Sequence, residues 1–480
     1  MGEKVDVVII GAGPSGCAAA HRLASIAPDI KIEILEARDR VGGRTMTIDL
    51  PCNRSGEVDQ WDIGGQWVGA SQTDVMQVIH DFHFETYPQP YKGTKFMQLG
   101  KSNKITTYSG IIPDMGGLWG ALQMAFYLWK LERMCKKVSI ADPFSSPVAR
   151  ELEGHTMASY SAKYLTNEAA YQSMDVAAKA VFGSNASSVS MLFFLAYANS
   201  SGGVSKLLES TPGSAQELPS GKTFEASYVI STLPPNLLLK VEFHPPLTKA
   251  TRFVYENLPM GYYSKYIVVY DKAFWKDRGY SGEIVTNGGD GGGPLSVVFD
   301  ATTCRGTPAL VGFIAGSADV KYSQLSKDAR KEAVVTALSK FLGDEALNPI
   351  HYEDKIWRED PYSGGCPSNH AQPGPLSNFK DVRLPFHRVH FAGTHTATEW
   401  NGYISGAIQA GKRAAVEVLH RFRPASISQE LLKGTAYDPN PPMLPKGCHT
   451  CCVKPLLGCT LGILAVAIVI KIIYNSVGLA

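Results

Sequence analysis

The first run in the chain whose residue types could do chemistry is Gly11-Ala12-Gly13-Pro14-Ser15-Gly16. Gly11 permits a tight turn, Gly13 lets backbone amides approach a pyrophosphate, and Gly16 lets a helix pack closely on a strand. The amides, the positive end of that helix and Ser15 in its first turn would face the phosphates. Glu36 follows 20 residues after Gly16, where a carboxylate can accept ribose hydroxyls. Such a loop needs a strand before it and a helix after it. Residues 5–10 are a nearly continuous apolar run, 15–27 are rich in Ala and Leu, and 31–35 alternate into a second strand. The three together make a βαβ start.

The next residues choose the dinucleotide. Glu36-Ala37-Arg38-Asp39-Arg40-Val41-Gly42-Gly43-Arg44-Thr45 sets two glycines and an arginine just past the ribose acid. That run can wrap a cofactor larger than NAD and bring Arg44 to its phosphates, which points to FAD. Here, and at Asp62-Ile63-Gly64-Gly65-Gln66-Trp67, the sequence resembles the flavin amine oxidases. The resemblance implies cofactor contacts from Arg38, Gly43 and Arg44, and a flavin-facing loop at Gly64, Gly65 and Gln66.

Three further segments narrow the resemblance to monoamine oxidases. In Tyr362-Ser363-Gly364-Gly365-Cys366 the matching family cysteine is bonded to the flavin, so the resemblance implies a thioether at Cys366; taken alone, the residue reads equally as a small buried hydrophobe. Gly393-Thr394-His395-Thr396-Ala397-Thr398-Glu399-Trp400-Asn401-Gly402-Tyr403 is similar to the run that closes over the flavin, which implies contacts from Gly393, Thr394, Gly402, Tyr403 and Ile404. Tyr403 matches one of two tyrosines that flank the substrate amine, where an aromatic face steers the amine and desolvation favours its neutral form. Lys265, in Ser264-Lys265-Tyr266, matches a lysine that holds a water near the flavin; without the resemblance it is a solvated strand lysine. Trp357, nine residues before Cys366, matches a tryptophan beside the ring and serves equally as core.

The pattern breaks in four places. The second cage tyrosine should follow the cysteine, but Pro367 stands there and offers no π face. His395 and Glu399 reverse the family's acid-then-histidine order, and Ser200 replaces a cavity glutamine. The interval 202–225 has 24 residues where the family carries a second Gly-Gly turn, a helix and strands completing the adenine half of the FAD site. A helix and strand with connections need about 30 residues, so an internal deletion is expected there. His370 and His395 read as hydrogen-bonded histidines rather than bases, and Cys448-His449-Thr450-Cys451-Cys452 as juxtamembrane thiols or acylation sites rather than a metal site.

The elements expected around these residues are helices at 118–134, 191–198, 329–342 and 406–421 and strands at 227–232, 265–270 and 389–392, with 85–200 largely helical. The glycine cluster at 288–293 precedes Pro294 and opens no helix, so it reads as a surface loop. The expected class is α/β and α+β: a Rossmann-like FAD domain from 1–84, 204–258 and 359–422, an inserted mixed-sheet and helical substrate domain from 85–203 and 259–358, a linker at 423–455, and a C-terminal transmembrane helix at 456–474. Apolar residues at 44% suit a large core, and 46 basic against 44 acidic residues, with no long run of one sign, give no reason to expect nucleic acid. Nine scattered cysteines form neither a disulfide framework nor a spaced metal pattern, and residues 1–4 run into a strand without a signal peptide, so a reducing compartment is expected and the sequons at Asn53, Asn185 and Asn199 are expected to be unused. The apolar stretch 456–470, flanked by Lys446, Lys454 and Lys471 and reaching Tyr474 if Lys471 snorkels, reads as a tail anchor at 456–474 of the mitochondrial outer membrane with the enzyme in the cytosol; the endoplasmic reticulum is the alternative. The function implied is oxidative deamination of amines by FAD and dioxygen, in a chain for which a homodimer is conceivable. An L-amino-acid oxidase and an anchored, inactive variant are the competing readings.

Overall fold

The computed structural model describes residues 3–100, 102, 104–109, 117–204, 207, 224–288 and 293–438. The expected anchor at 456–474, the Cys448–Cys452 cluster, most of the short interval 202–225 and the middle of the 288–293 glycine run lie outside them. Among the described residues no helix is long and apolar enough to cross a membrane.

The nucleotide half is built on a four-stranded parallel sheet in the order Val389–Phe391, Phe224–Ser231, Glu3–Ile10, Ile32–Leu35. A parallel strand buried on both faces needs an uninterrupted apolar run, and Val7, Ile9 and Ile230 are fully buried. Two helices, Pro14–Ile26 and Ile404–Phe422, pack together over it through Ala19, Leu23, Ala414, Ala415 and Val418. They approach so closely that a Cβ on Gly411 would run into the Ser15 carbonyl. The second strand of the fingerprint and the returning strand at 224 therefore sit in the order the glycine motif requires, with the loop 11–16 at the carboxyl edge of the sheet.

The second half is a seven-stranded mixed sheet: His351–Ile356, Tyr263–Val269, Ala309–Ala315, Val297–Asp300, Tyr280–Thr286, Thr94–Gln98, Ile105–Tyr108. Tyr263–Val269 and Ala309–Ala315 are buried along their whole length, which places Lys265 inside the protein. The helix Lys327–Leu342 covers one face, capped by the Ser326 side chain on the Ala329 amide. A lobe of the helices Leu118–Cys135, Glu168–Phe182 and Met191–Ser200 completes the chain, and the last of these has no polar face at all.

The expectation of a largely helical 85–200 is corrected at its start. Thr94–Gln98 pairs in parallel with Tyr280–Thr286, and Ile105–Tyr108 closes the edge. The reason is non-local: Lys95 meets Glu283 at 2.7 Å and the Tyr108 hydroxyl donates to Glu283 at 2.7 Å, partners about 180 residues away that no local composition reveals.

A buried polar cluster joins the last helix to the sheet. Glu417 accepts from Arg413 Nη1 at 2.8 Å and lies 3.1 Å from His390 Nδ1, while Arg413 Nη2 donates to the Phe391 carbonyl at 2.6 Å and to Thr396 Oγ1 at 2.8 Å. Burial alone would raise the Glu417 carboxyl, but Arg413 and His390 outweigh it and hold it below its usual range. Glu417→Leu strands Arg413 as a buried charge, so the chain is expected to lose about 3–5 kcal/mol in urea unfolding; a loss under about 1 kcal/mol would show that the cluster is not structural.

Candidate active site

The glycine loop has the shape its spacing demands. Gly11 has φ +98°, and a Cβ there would strike the Thr232 hydroxyl; one on Gly16 would strike the Gly11 carbonyl. Gly13 caps the helix Pro14–Ile26 without side-chain help and faces Gly43, which has φ +59°, across a space that a Cβ on either would narrow. The second glycine loop is tied to the first by Gly42 N donating to the Ala12 carbonyl at 2.9 Å. Arg40 pins it from behind, donating to the carbonyls of Val41, Gly43 and Thr45 at 2.6–3.0 Å. Glu36 accepts the Ala12 amide at 2.8 Å and the Ala37 and Arg38 amides at 3.1 Å, so its carboxylate closes the loop. The Ser15 hydroxyl is committed elsewhere, donating to the Ala392 carbonyl. Only the Ser15 backbone is left to serve a phosphate.

Arg38 and Arg44 both reach the Cys366 segment. Arg38 Nη2 donates to Asp360 at 2.6 Å and to Ser363 at 2.8 Å. Arg44 is half-buried, and desolvation depresses its guanidinium. Its Nη1 donates to the Pro367 carbonyl at 2.8 Å, and no carboxylate among the described residues pairs with it. A half-buried cation with no carboxylate partner among the described residues, beside glycines that keep two loops apart, fits an anionic cofactor. His395 lies in the same interior, and burial followed by the charges of Arg44, Arg413 and Arg383 lowers it to about 3. Neither of its ring nitrogens has a partner among the described residues, nor does His370 Nδ1. The expectation that His370 and His395 are hydrogen-bonded residues rather than bases is corrected for the His395 ring, whose two nitrogens both lack a partner. His395, held neutral, adds no second cation beside Arg44.

The next layer is aromatic. Lys265 is 2% exposed, with Nζ donating to the Gly64 carbonyl at 3.1 Å and to Gln66 Oε1 at 2.6 Å. It lies 5.0 Å from the Trp67 ring centroid and 5.8 Å from that of Phe313. Burial lowers it to about 7, with Asp62 and Cys366 opposing. The turn that supplies its acceptors is tight: Gly65 N donates to the Arg44 carbonyl at 2.9 Å, and a Cβ on Gly64 would collide with that same carbonyl. Cys366 packs with Tyr263, Phe313, Ala315 and Trp357, and burial pushes its thiol well above the usual value. Trp357 is locked by Nε1 donating to the Ile63 carbonyl at 3.2 Å.

Tyr403 stands just ahead of the helix Ile404–Phe422, and Thr394 Oγ1 donates to its carbonyl at 3.0 Å. Its hydroxyl donates to the Leu207 carbonyl at 2.7 Å. Ile404 packs against Gly65, and Gly393 is crowded by the His395 ring. Gly402, at φ +84°, leaves no room for a Cβ because the Tyr197 hydroxyl occupies it. Tyr197 is the residue that sequence reasoning missed. Its ring lies 6.3 Å from that of Tyr403 at 46°, and its hydroxyl is 3.5 Å from Ser368 Oγ, two residues past Cys366. Inside the apolar run 191–198 it carried no signal distinguishing it from core. Ser200 does not present a side chain as a cavity glutamine would; its hydroxyl donates to the Tyr197 carbonyl at 2.7 Å and lies 3.3 Å from the Asn401 amide.

Because the folded chain holds Lys265 near 7 against 10.5 when exposed, it binds fewer protons than the unfolded chain between those values. Stability from this group therefore rises with pH across that window and its penalty is full below it. Lys265→Met is expected to flatten the rise of the urea midpoint between pH 7 and pH 10 relative to the unsubstituted chain; equal slopes would show that the lysine is not perturbed.

The comparisons agree with this geometry. The family described as flavin containing amine oxidoreductase matches residues 203–419, and the NAD(P)-binding Rossmann-like domain matches 9–82. Amine oxidase [flavin-containing] A of Canis lupus familiaris is 32% identical over 465 residues, covering 87% of this chain and 86% of its own. Amine oxidase [flavin-containing] B of Homo sapiens is 32% identical over 468 residues, covering 88% and 87%. The fold is that of putrescine oxidase bound to putrescine, with a TM-score of 0.79 at 24% identity over 87% of this chain and 99% of that one, and of cyclohexylamine oxidase from Brevibacterium oxydans IH-35A, with a TM-score of 0.77 over the same shares. Identity at this level across nearly the whole of both chains, on a sheet and glycine loop built as described, places the protein among the flavin-containing amine oxidases of the monoamine oxidase type.

Proposed function

We propose that the chain oxidises a small primary amine at the buried face formed by Lys265, Trp357, Cys366, Tyr403 and Tyr197, with FAD held between the two glycine loops. FAD supplies the two-electron acceptor for the overall conversion of amine, dioxygen and water to aldehyde, ammonia and hydrogen peroxide. The observation that carries the reading is the environment of Lys265, a buried lysine on Gly64 and Gln66 that no ion pair among the described residues explains.

Each residue then has a task that its surroundings support. Gly11, Gly13, Gly16, Gly43 and Arg44 would take the pyrophosphate, with the backbone of Ser15, and Glu36 the ribose. Arg38 holds the Cys366 segment to the nucleotide loop. Gly64, Gly65, Gln66, Gly393, Thr394, Gly402 and Ile404 would line the ring. Tyr403 orients the amine and excludes water, which favours the neutral form that reacts. Tyr197 supplies the second ring that Pro367 cannot. Lys265 Nζ, set near neutrality, holds or releases a proton at physiological pH. Trp357 keeps the Ile63 carbonyl, and with it the Gly64 turn, in place.

The finer parts of the reading rest on sequence. A thioether from Cys366 is supported by its matching motif and its burial beside Trp357 and Tyr263. An anchor at 456–474 in the mitochondrial outer membrane is supported by the apolar run and its flanking lysines. A homodimer would be compatible with such an anchored enzyme.

Purified chain is expected to show flavin absorbance, and acid precipitation to leave the yellow colour in the pellet, while Cys366→Ala releases it to the supernatant. Colour released from the unsubstituted chain overturns the thioether, and absence of flavin overturns the enzyme reading, with the short 202–225 interval the first suspect. Peroxide release is expected with primary amines and not with amino acids; the reverse favours an L-amino-acid oxidase. Tyr403→Ala and Tyr197→Ala are each expected to lower kcat/KM about 2- to 30-fold, the rate equivalent of about 0.5–2 kcal/mol of lost aromatic contact. An unchanged value for Tyr197→Ala removes it from the cage.

A further inference from the structure

The edge of the nucleotide sheet carries a groove that the amine reading leaves unused. It lies at the amino end of the edge strand Val389–Phe391, whereas the glycine loops lie at the carboxyl edge of the sheet. Its volume is about 380 Å³, within the range of small-molecule sites. Phe243, His244, Phe386, His387, Arg388 and Arg421 line it, and no acidic side chain does.

The two arginines are brought together by Tyr228. The Arg421 guanidinium lies 5.4 Å from its ring centroid and that of Arg388 5.8 Å. Arg421 Nη1 donates to the His387 carbonyl, and Arg388 Nη1 to the Ser227 carbonyl at 3.3 Å. Neither has a carboxylate partner among the described residues. Glu417, one turn before Arg421, is committed to Arg413 and His390, and Glu242 at the rim lies 3.1 Å from His244 Nε2. Two like charges on one ring repel unless an anion joins them. His387 itself is held at φ +53°, a conformation rare outside glycine that a binding site can justify. Beside the arginines is an aromatic wall. Phe243 and Phe386 meet edge to face at 5.9 Å, and the His387 ring stands 4.6 Å from Phe386.

This chemistry selects a ligand class. One guanidinium fork satisfies a carboxylate, whereas a phosphate monoester, with about two negative charges at neutral pH and three free oxygens, can engage two forks. The phenylalanine rings offer a flat group somewhere to pack. A groove of this volume is larger than a bare phosphate needs. We propose that it is a second ligand site, which takes a phosphate monoester bearing a flat ring, of nucleoside monophosphate size. The phosphate lies between Arg388 and Arg421 and the ring against Phe243 and Phe386. No residue of the groove belongs to the amine site, so the two readings stand or fall separately.

The full chain, purified in detergent with its flavin, is titrated calorimetrically with adenosine 5′-monophosphate, inorganic phosphate and adenosine. One monophosphate is expected to bind per chain, phosphate more weakly, and adenosine not measurably. R388A and R421A are each expected to weaken the monophosphate about 10- to 150-fold, the equivalent of a hydrogen bond to a charged group. F243A, which leaves both guanidiniums and their carbonyl contacts in place, is expected to weaken the monophosphate and leave phosphate unchanged. Flavin content and amine-dependent peroxide release are expected to be unaltered in F243A, which shows that the chain is folded. No monophosphate binding overturns the proposal. Binding that survives R388A/R421A lies in the dinucleotide site instead and overturns it too. Equal affinity for phosphate and the monophosphate, with F243A silent, reduces the groove to a bare anion contact and overturns the ring assignment.

Discussion

Arg44 is the residue on which the two halves of the molecule depend. Its carbonyl accepts the Gly65 amide, which sets the turn that gives Lys265 its acceptors, and its guanidinium donates to the Pro367 carbonyl next to Cys366. A partly desolvated guanidinium is costly unless an anion answers it. No carboxylate among the described residues does, and the nearby His395, held neutral by burial and the surrounding positive charge, adds no further charge. The arrangement makes sense as a scaffold completed by a polyanionic cofactor, and it explains why the nucleotide loops, the lysine strand and the cysteine segment converge on one interior.

The aromatic wall shows how a local loss is answered elsewhere. Pro367 contributes only its carbonyl, and the ring beside Tyr403 comes instead from Tyr197 on a helix far away in sequence. Gly402 makes this possible, since any side chain there would displace the Tyr197 hydroxyl. The wall is assembled from two elements that are positioned independently, the first residues of the helix Ile404–Phe422 and the buried helix Met191–Ser200. Burial of the latter on all sides fixes the direction of Tyr197 without any polar partner at its own level of the chain.

Much of this is legible in the residues themselves. The parallel strand at the start, the glycine turn, Glu36 and the Gly42-Gly43-Arg44 step carry backbone requirements that only those residue types meet, so type and spacing suffice to read them. The strands at 224–231, 263–269 and 389–391 and the helix at 404–422 lie close to where the apolar runs put them. The strands at 94–98 and 105–108 are not legible this way because the pairing that fixes them is non-local: 94–98 joins 280–286, and the Tyr108 hydroxyl reaches Glu283.

By itself, the sequence set out a dinucleotide-binding plan and pointed to FAD over NAD, while Lys265, Cys366 and Tyr403 came only through the family resemblance. The first two are properties of short glycine motifs, where a missing side chain or a positive φ leaves no alternative residue. Tertiary structure alone decided that Lys265 is buried and set near neutrality, that Ser15 spends its hydroxyl on Ala392, that both ring nitrogens of His395 lack a partner among the described residues, and that Tyr197 faces Tyr403. Those outcomes depend on desolvation and on contacts between residues more than a hundred positions apart, and neither is encoded in the spacing of any one segment.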